Sequence, residues 1–298
     1  MRALRFVALG DSLTEGVGDP VAGGRRGWAA LLAEGLGADG GPGEGPGVGL
    51  GARPGVEFVN LAVSGSQTRD VLDRQLSAAL ELRPDVASVV IGVNDTLRCT
   101  FDIHAVTARL DVVYGALRER GAVLLTACLP DPGAMLGLPG ALARPLARRQ
   151  RAVNTVVHAL SERHGAVHLH ASEGAWLTDR AMWSADRLHP GERGHRQLAL
   201  RFHALLTEAG IALGPAPSAE PEFAAPGRGA GLWWLATAGT GWVARRCTDL
   251  LPQLLALAAA EVRHKARGTS ARLDLSASHA VASALAALSA PEQRPEPA

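Results

Sequence analysis

Short apolar runs alternate with longer segments of helical periodicity from the amino terminus to about residue 209. Within the segment 102–120, apolar side chains recur at steps of three and four residues, which places them on one face of a helix. These side chains are Val106, Leu110, Val113 and Leu117. The pattern predicts strands at 5–9, 56–61, 86–92, 122–127 and 167–169, and helices at 27–36, 68–82, 102–120, 142–164 and about 191–209.

The alternation of strand and helix predicts an α/β fold with a parallel sheet. Strands that alternate with helices pair in parallel through right-handed crossovers. The predicted strands are apolar nearly throughout, as in a sheet that is covered on both faces. Ligands of such sheets bind beyond the carboxyl ends of the strands. Polar residues that directly follow a strand are therefore the first candidates for function.

Composition divides the chain into a domain and an extension. Residues 1–213 carry the alternation and are predicted to form one domain. Within them, the segment 37–55 is dense in glycine and proline and is expected to be a surface loop. Residues 214–231 are rich in proline, glycine and alanine, which is typical of a linker. Helical periodicity returns at 232–265, and the Ser/Ala/Pro-rich segment 266–298 is expected to be a largely disordered tail.

The apolar segment 232–262 is interrupted by Arg245, Arg246 and Asp249. It therefore does not predict a membrane span, which needs about 20 predominantly apolar residues. Three alternatives stay open for this segment. It could pack back onto the domain as a helical hairpin, form a dimer interface, or associate weakly with a membrane surface.

Charge and cysteine content narrow the range of partners. A formal net charge of +1 gives no basic surface that would favour nucleic acid or an anionic membrane as a partner. The three cysteines, Cys99, Cys128 and Cys247, are far apart and odd in number, so they predict neither a disulfide framework nor a zinc site. The first apolar run leads directly into a polar turn and is interpreted as a core strand, not as a signal peptide. We expect a cytoplasmic protein.

The turn after the first predicted strand, with the sequence GDSL at 10–13, carries a serine where a ligand is expected. Such a serine is either a turn residue or a nucleophile. A nucleophilic serine needs a base, a group that orients the base, and donors for an oxyanion. Gly65 after the second strand and Asn94 after the third are candidate donors, through a backbone N–H and a side-chain amide respectively.

Late in the chain, Asp186 and His189 form a D-x-x-H pair on one predicted turn. That spacing lets the carboxylate approach the imidazole, fix its tautomer and stabilise the imidazolium. Each block also has a structural interpretation on its own: a turn glycine at 65, an Asx turn or helix cap at 94–95, and a loop pair before the last helix.

Together, the four blocks resemble the SGNH/GDSL hydrolase family of esterases and lipases, in its actinobacterial form. The resemblance extends over about residues 2–206. It implies a three-layer α/β/α sandwich of flavodoxin-like kind, with a five-stranded parallel sheet. We find no G-x-S-x-G elbow in the sequence, which argues against the α/β-hydrolase fold.

The resemblance also implies a role for each matching residue. Ser12 would be the nucleophile, His189 the general base, and Asp186 the group that orients the base. The backbone N–H groups of Ser12 and Gly65 and the side chain of Asn94 would form the oxyanion hole. Every one of these positions carries the residue type that the family's motifs require.

Three residues near the blocks are candidates for a substrate pocket, namely Trp28, Leu97 and Arg98. For Trp28 the alternative is packing in the core, and for Arg98 it is a position on the surface. The segment 130–139 follows the fourth predicted strand and is a candidate flap over the site, or else a plain surface connection.

The remaining histidines near these blocks are expected to be structural. His195 is predicted to lie in the first turn of the last helix, and His168 and His170 alternate with apolar residues at the end of a strand. The sequence shows no second cluster of metal ligands, and the hydrolytic chemistry needs none. We therefore expect no metal and no cofactor.

The resemblance predicts a serine hydrolase that cleaves carboxylic esters of small or lipid-like substrates through an acyl-Ser12 intermediate. The expected partner is a small-molecule acyl ester. An acyltransferase or a thioesterase could use the same site. A non-catalytic binding or scaffold member of the family is the alternative from a different class, and the intact set of site residues argues against it.

Overall fold

The computed structural model describes residues 3–37, 55–211, 214–224, 229 and 251–289. All the strands and helices predicted up to about residue 209 fall within these ranges. Most of the predicted loop at 37–55, part of the predicted linker, and the start of the predicted extension at 232–250 lie outside the described residues.

Five parallel strands form the central sheet, as the sequence predicts. The strands within the described ranges are β1 (Leu4–Gly10), β2 (Pro20–Val21), β3 (Gly24–Arg25), β4 (Val56–Asn60), β5 (Val86–Val90), β6 (Val123–Cys128) and β7 (Val167–His170). The sheet order is β4-β1-β5-β6-β7, and β2 and β3 form a separate antiparallel hairpin. From β1 the chain passes to β4 on one side and then to β5 on the other. The end of β1 is therefore the switch point at which open α/β sheets bind ligands.

Helices cover both faces of the sheet and complete the predicted three-layer α/β/α sandwich. The helices in the described ranges are α1 (Ser12–Glu15), α2 (Gly27–Leu36), α3 (Thr68–Asp70), α4 (Leu76–Leu82), α5 (Val93–Thr96), α6 (Ile103–Glu119), α7 (Pro132–Met135), α8 (Gly140–Arg163), α9 (Glu192–Glu208), α10 (Leu251–Ala266) and α11 (Ser270–Ala287). A π-helical turn, Val71–Gln75, joins α3 to α4. One core cluster lies between the sheet and α2 with α9, and a second lies between the sheet and α4, α6 and α8.

The strand β1 shows why the sheet strands are apolar at consecutive positions. Phe6 and Ala8 belong to the core on the α2 side, whereas Val7 and Leu9 belong to the core on the α6 side. Successive side chains of a strand point to opposite faces, and here both faces are covered by helices. All four side chains are at most 1% exposed. Burial of an apolar side chain as large as Phe6 or Leu9 contributes about 1.5–3 kcal/mol.

The prediction of a largely disordered segment 266–298 is wrong for the part that forms α11. Its alanines and leucines are strong helix formers, and its serines did not prevent the helix. Val281 and Ala284 lie on one face of α11 and are buried against α6 and α8. Composition suggested disorder because it does not show the three-residue step between these apolar positions.

Together α10 and α11 form a helical hairpin that packs back onto α8. Of the segment 232–262, only 251–262 belongs to this hairpin, and 232–250 lies outside the described residues. Arg148 of α8 joins the two helices: it donates to Glu261 at 3.1 Å and to Asp274 at 2.7 Å. Glu261 is only 3% exposed, so loss of Arg148 would leave a buried carboxylate without its partner. None of the helices in the described ranges is long and apolar enough to span a membrane.

The described start of the predicted linker, 214–224, is held against the domain by charged side chains. Glu222 accepts hydrogen bonds from Arg26 and from Arg196, the latter at 2.8 Å. Glu192 in turn accepts the backbone N–H of Glu222 at 2.6 Å. This part of the chain is therefore a fixed strap across α9, and the linker prediction does not describe it.

Candidate active site

Ser12 is the first residue of α1, directly beyond the carboxyl end of β1. Asp11 caps α1, because its side chain accepts the backbone N–H of Leu13 at 3.1 Å. Gly10 has a φ of 152°, and a Cβ at this position would lie 2.4 Å from the carbonyl oxygen of Val90 on the neighbouring strand. Only glycine allows this close approach, which sets where the chain turns and where the serine hydroxyl lies.

A buried glutamine fixes the same turn from the other side. The side-chain amide of Gln75 accepts the N–H of Gly10 and donates to its carbonyl oxygen, both at 2.9 Å. Gln75 lies in the π-helical turn between α3 and α4 and is 5% exposed. Single π-turns are frequent at functional sites, but neither periodicity nor a motif marks this one in the sequence.

A short antiparallel bridge between Trp183 and Pro190 closes the loop that carries Asp186 and His189. The N–H of Ser184 donates to the carbonyl oxygen of His189 at 2.9 Å. The hydroxyl of Ser184 and the backbone N–H of His189 donate to Asp186 Oδ1, at 2.6 and 3.0 Å. The turn itself therefore fixes the carboxylate, and Oδ2 remains for the imidazole.

The structure joins Asp186, His189 and Ser12 by consecutive hydrogen bonds. His189 Nδ1 lies 2.7 Å from Asp186 Oδ2, and His189 Nε2 lies 2.8 Å from Ser12 Oγ. Because an ionised carboxylate only accepts, Nδ1 carries the proton and Nε2 accepts the serine hydroxyl. Burial alone would raise the pKa of Asp186, but the hydrogen bonds and charge of His189 outweigh it and lower the pKa to about 2.

The three residues that carry the predicted oxyanion donors, Ser12, Gly65 and Asn94, line one cavity. The backbone N–H groups of Ser12 and Gly65 meet no acceptor among the described residues. The φ of Gly65 is 85°, a backbone conformation that favours glycine and that sets the direction of its N–H. The amide of Asn94 already donates to Asp11 Oδ2 at 3.1 Å and to the carbonyl oxygen of Ser66 at 3.0 Å. An oxyanion would therefore have to take over one of these two bonds.

Two further buried carboxylates hold the loops of the site. Burial, opposed in part by the hydrogen bond from Leu13, raises the pKa of Asp11 to about 6. Burial also raises the pKa of Asp95, although Thr68 hydrogen-bonds to it through its hydroxyl at 2.7 Å. Asp95 thereby ties the start of α3 to α5. Both carboxylates accept backbone or side-chain donors, so they act as structural acceptors that hold the loops.

Glu15 fixes the position of the loop that contains Gly65. Its carboxylate accepts the backbone N–H of Ser64 at 2.7 Å and also the hydroxyl of the same residue. Arg25 of the β2–β3 hairpin pairs with the other oxygen of Glu15. The last turn of α1 is therefore connected directly to the residue that precedes Gly65.

A cavity of about 660 Å³ opens next to Ser12 and His189. Polar residues line it near Ser12 and His189, and most of its remaining wall is apolar. The apolar wall comes from Leu13, Val17, Val93, Leu97, Leu129, Pro130, Pro132, Met135, Leu136, Leu138, Leu146, Ala171, Trp176, Trp183, Leu188, Pro190, Leu198 and Leu254. Such a cavity is suited to an apolar group presented next to a hydroxyl and an imidazole.

Of the three candidate pocket residues, only Leu97 lines this cavity. Trp28 instead belongs to the core: it is 1% exposed and stacks on Phe202 with ring centroids 4.8 Å apart. The inner face of α2 is covered by α9, which leaves this large ring no access to the cavity. Arg98 is half-buried and is not a lining residue.

His195 lies in α9, as predicted, and both of its ring nitrogens hold neighbouring backbone. Nδ1 accepts the N–H of Trp28 at 3.1 Å, and Nε2 donates to the carbonyl oxygen of Val17 at 3.0 Å. Complete burial, opposed in part by the bond to Val17, lowers the pKa of His195 to about 4. The ring is therefore neutral and connects α2 to the loop after α1.

Several lining residues were missed by the sequence reasoning. Trp176 and Trp183 stack with centroids 4.9 Å apart and form part of the wall. Trp176 lies in a single 3₁₀ turn, Ala175–Leu177, and Trp183 lies in a loop, so no periodicity marks either residue. Leu254 reaches the cavity from α10, far away in the sequence. The segment 130–139 was identified as a candidate flap, and five of its residues line the cavity.

A serine, a histidine and a carboxylate joined in this order beyond the ends of parallel strands have the geometry that serine hydrolases share. The family comparison agrees with this class. The chain belongs to the GDSL-like lipase/acylhydrolase family, whose model matches residues 8–197. No curated protein shows a significant sequence match.

Solved structures share the fold at low sequence identity. A variant of Axe2, an acetyl xylan esterase from Geobacillus stearothermophilus, is 20% identical with a TM-score of 0.52, over 72% of this chain and 98% of that one. A lipase/acylhydrolase from Enterococcus faecalis is 17% identical with a TM-score of 0.51, over 73% and 100%. TesA is 20% identical with a TM-score of 0.50, over 68% and 98%. These similarities show the fold, and membership of the family shows that the chain is a hydrolase.

Proposed function

We propose that the chain is a serine esterase that hydrolyses esters of apolar acyl groups through an acyl-Ser12 intermediate. The observation that carries this proposal is the hydrogen-bonded series from Asp186 through His189 to Ser12, which ends in an apolar cavity. Membership of a family of lipases and acylhydrolases supports it.

In the first half of the reaction, Ser12 Oγ attacks the ester carbonyl while His189 Nε2 takes the hydroxyl proton. His189 Nε2 and Ser12 Oγ are 2.8 Å apart, so the base is within hydrogen-bond distance of the proton that it removes. Asp186 stays ionised and stabilises the imidazolium that forms, as its lowered pKa requires. When the tetrahedral intermediate collapses, the carbon–oxygen bond to the alcohol breaks and His189 returns the proton to the leaving oxygen.

Charge on the carbonyl oxygen is stabilised by donors that are already in place. The N–H groups of Ser12 and Gly65 have no competing acceptor among the described residues, so they bind the oxyanion without breaking another bond. Asn94 supplies the third donor by giving up one of its present acceptors. Removal of one such donor from a hydrolase costs about 10²–10³ in kcat.

In the second half, water replaces the alcohol. His189 removes a proton from the water, which attacks the acyl carbon, and the bond to Ser12 Oγ breaks as the imidazolium returns its proton to the serine. The carboxylic acid leaves, and the hydrogen bonds of the triad form again. The same groups therefore serve both halves of the reaction.

The apolar wall of the cavity favours a medium acyl chain of about six to ten carbons. A chain of ten carbons fills roughly 300 Å³ at about 30 Å³ per group, a volume close to that of one water molecule in the liquid. The cavity of about 660 Å³ holds this chain together with part of an alcohol. Each buried methylene contributes about 0.8 kcal/mol, so kcat/KM should rise about fourfold per methylene until the cavity is full.

Hydrolysis of p-nitrophenyl esters from acetyl to palmitoyl tests the proposal. We expect an optimum near the octanoyl ester, and we expect Ser12→Ala to lower kcat by at least about 10³. Ser278→Ala, on the exposed surface of α11, is the matched control and should keep the wild-type rate. An active Ser12→Ala variant would refute the mechanism, and a folded wild type with no turnover of any ester would favour a non-catalytic role.

Parallel assays separate the alternative reactions at the same site. A faster reaction with the matching acyl thioesters would identify a thioesterase. Formation of a new ester after addition of an alcohol, at the expense of the free acid, would identify an acyltransferase. Both outcomes would retain Ser12 as the nucleophile and would change only the group that leaves or enters.

A further inference from the structure

A cluster of one cysteine and two histidines lies at the carboxyl ends of β6 and β7. Cys128 pairs with His170 in the parallel register, and Thr126 pairs with His168. Side chains two residues apart on a strand share a face, and paired residues of neighbouring strands share it too. The three metal-binding side chains therefore lie together on the α8 side of the sheet. Their ligand atoms all lie within 4.8 Å of one another.

Hydrogen bonds from β6 and α8 fix the tautomer of His168. Ser161 donates its hydroxyl proton to the carbonyl oxygen of Val157 at 2.5 Å, so it accepts from Thr126 at 2.7 Å. Thr126 Oγ1 is then the acceptor for His168 Nδ1, 2.9 Å away. The proton of His168 is thus on Nδ1, and the lone pair of Nε2 faces Cys128 Sγ at 3.1 Å. Outer hydrogen bonds of this kind orient the histidine ligands of metal sites.

A third histidine from α8 lies against the same two rings. The ring centroid of His158 is 5.2 Å from that of His168 and 5.2 Å from that of His170. Its Nε2 pairs with Glu162 at 3.1 Å, while its Nδ1 is buried without a hydrogen-bond partner among the described residues. A buried nitrogen left unpaired in this way costs about 1–3 kcal/mol unless a ligand satisfies it.

We propose that Cys128, His168 and His170 bind one divalent transition-metal ion of the zinc type. The expectation that these histidines are purely structural and that the chain has no ligand cluster is revised accordingly. Binding replaces the thiol proton of Cys128: a metal–sulfur bond forms and one proton leaves to solvent. Water completes the fourth position of a tetrahedral site.

The donor set determines the class of ion. A thiolate with imidazoles selects Zn²⁺ and related soft or borderline ions, whereas Mg²⁺ and Ca²⁺ require oxygen ligands. In a tetrahedral zinc site, sulfur and nitrogen ligand atoms lie about 3.6 Å apart, given bond lengths of about 2.3 and 2.0–2.1 Å. Cys128 Sγ and His168 Nε2 lie 3.1 Å apart, and all the ligand atoms lie within 4.8 Å of one another. Small side-chain rotations therefore suffice to bring them to the separation that zinc requires. His170 is exposed, so an ion reaches the site from solvent.

Titration of the zinc-depleted full chain with Co²⁺, followed by displacement with Zn²⁺, tests the site. We expect one Co²⁺ per chain and a sulfur-to-cobalt charge-transfer band that disappears as Zn²⁺ replaces the cobalt. Zn²⁺ should also raise the Tm in proportion to the logarithm of its concentration once the site is saturated. Absence of the charge-transfer band and of any calorimetric Zn²⁺ binding would overturn the proposal.

Variants distinguish this site from adventitious binding. His170→Gln changes an exposed side chain and should weaken Zn²⁺ at least about 100-fold, because even changes to outer hydrogen bonds of metal sites cost ~10–100-fold. Cys128→Ser should abolish the charge-transfer band. His104→Gln and Cys99→Ser alter exposed residues elsewhere and should leave binding unchanged. Equal binding by wild type and His170→Gln, or a loss caused by Cys99→Ser, would refute the assignment. These readouts do not depend on ester hydrolysis.

Discussion

Replacement of Asp186 by asparagine tests the proposed triad through both activity and stability. In the wild type, Oδ2 accepts the proton of His189 Nδ1 at 2.7 Å. Asp186 Oδ1 accepts from the Ser184 hydroxyl and from the backbone N–H groups of Leu188 and His189, and an amide can keep these three bonds only by presenting its NH₂ group to the imidazole. The imidazole must then carry its proton on Nε2, where it faces Ser12 and cannot accept the hydroxyl proton. The expected loss in kcat is about 10⁴, the size of the effect that the wrong tautomer has in serine proteases.

The stability effect follows from the pKa of Asp186. A fall in this pKa from 3.8 to about 2 on folding contributes about 2 kcal/mol to the free energy of unfolding at neutral pH. Because the folded-state pKa is lowered, the contribution is complete above about pH 4 and is lost as the pH falls through about 2. The Asp186→Asn variant should therefore be less stable by about 2 kcal/mol at pH 7, and the deficit should shrink below pH 4.

Urea unfolding at several pH values, together with kcat for a p-nitrophenyl ester, measures both effects. Asp179→Asn is the matched control: this exposed residue caps a neighbouring turn by accepting the N–H of Ala181, and it does not contact His189. The control should keep the wild-type kcat. An Asp186→Asn variant with kcat within tenfold of wild type, or with a stability deficit that does not vary with pH, would show that this carboxylate does not orient His189.

Two further predictions concern the cavity and the buried carboxylate at the end of β1. Leu254→Trp should fill part of the cavity and shift the p-nitrophenyl ester with the highest kcat/KM to a shorter acyl chain. Leu255→Trp is the control, because this position is 56% exposed, and it should not shift the preferred chain length. Identical chain-length profiles for the two variants would show that α10 does not form a wall of the acyl site. Asp11→Asn keeps the helix cap but removes a carboxyl group whose pKa is raised to about 6. Because the folded-state pKa is raised, ionisation of that group lowers the stability of the wild type by up to about 3 kcal/mol as the pH rises from about 4 to above 6. Urea unfolding should therefore show the variant gaining stability relative to the wild type over this interval. A constant difference in stability between pH 4 and pH 7 would contradict the raised pKa.

The sequence predicted the sheet and the polar ends of its strands because both depend on short-range patterns. The predicted helix at 27–36 matches α2 in both bounds, and the strands differ from the predicted ones by at most two residues at either end. Ser12, Asn94 and His189 were placed at strand ends or on a tight turn, and the fold of a parallel sheet brings such ends together. Proximity of these residues thus followed from topology without knowledge of any side-chain contact.

Features that depend on packing between distant segments were not predictable in this way. Trp28 follows the first block closely, but the coverage of α2 by α9 decides that its ring is in the core. The apolar face of α11 is buried because α6 and α8 pack against it, and the sequence of α11 alone does not show those partners. Cys128 and His170 are far apart in sequence, and only the register of β6 with β7 makes them neighbours.

Asp186 and Asp11 both belong to the site, but their surroundings shift the pKa values of the two carboxyl groups in opposite directions and give them different roles. Asp186 accepts four hydrogen bonds, including one from the imidazole, and its pKa falls to about 2 despite burial. Among the described residues, Asp11 accepts only the N–H of Leu13 and one N–H of Asn94, and burial raises its pKa to about 6. A residue that must stabilise an imidazolium has to remain charged at every working pH, and Asp186 alone meets that condition. Asp11, within the same site, acts instead as the cap of α1 and the support of an amide.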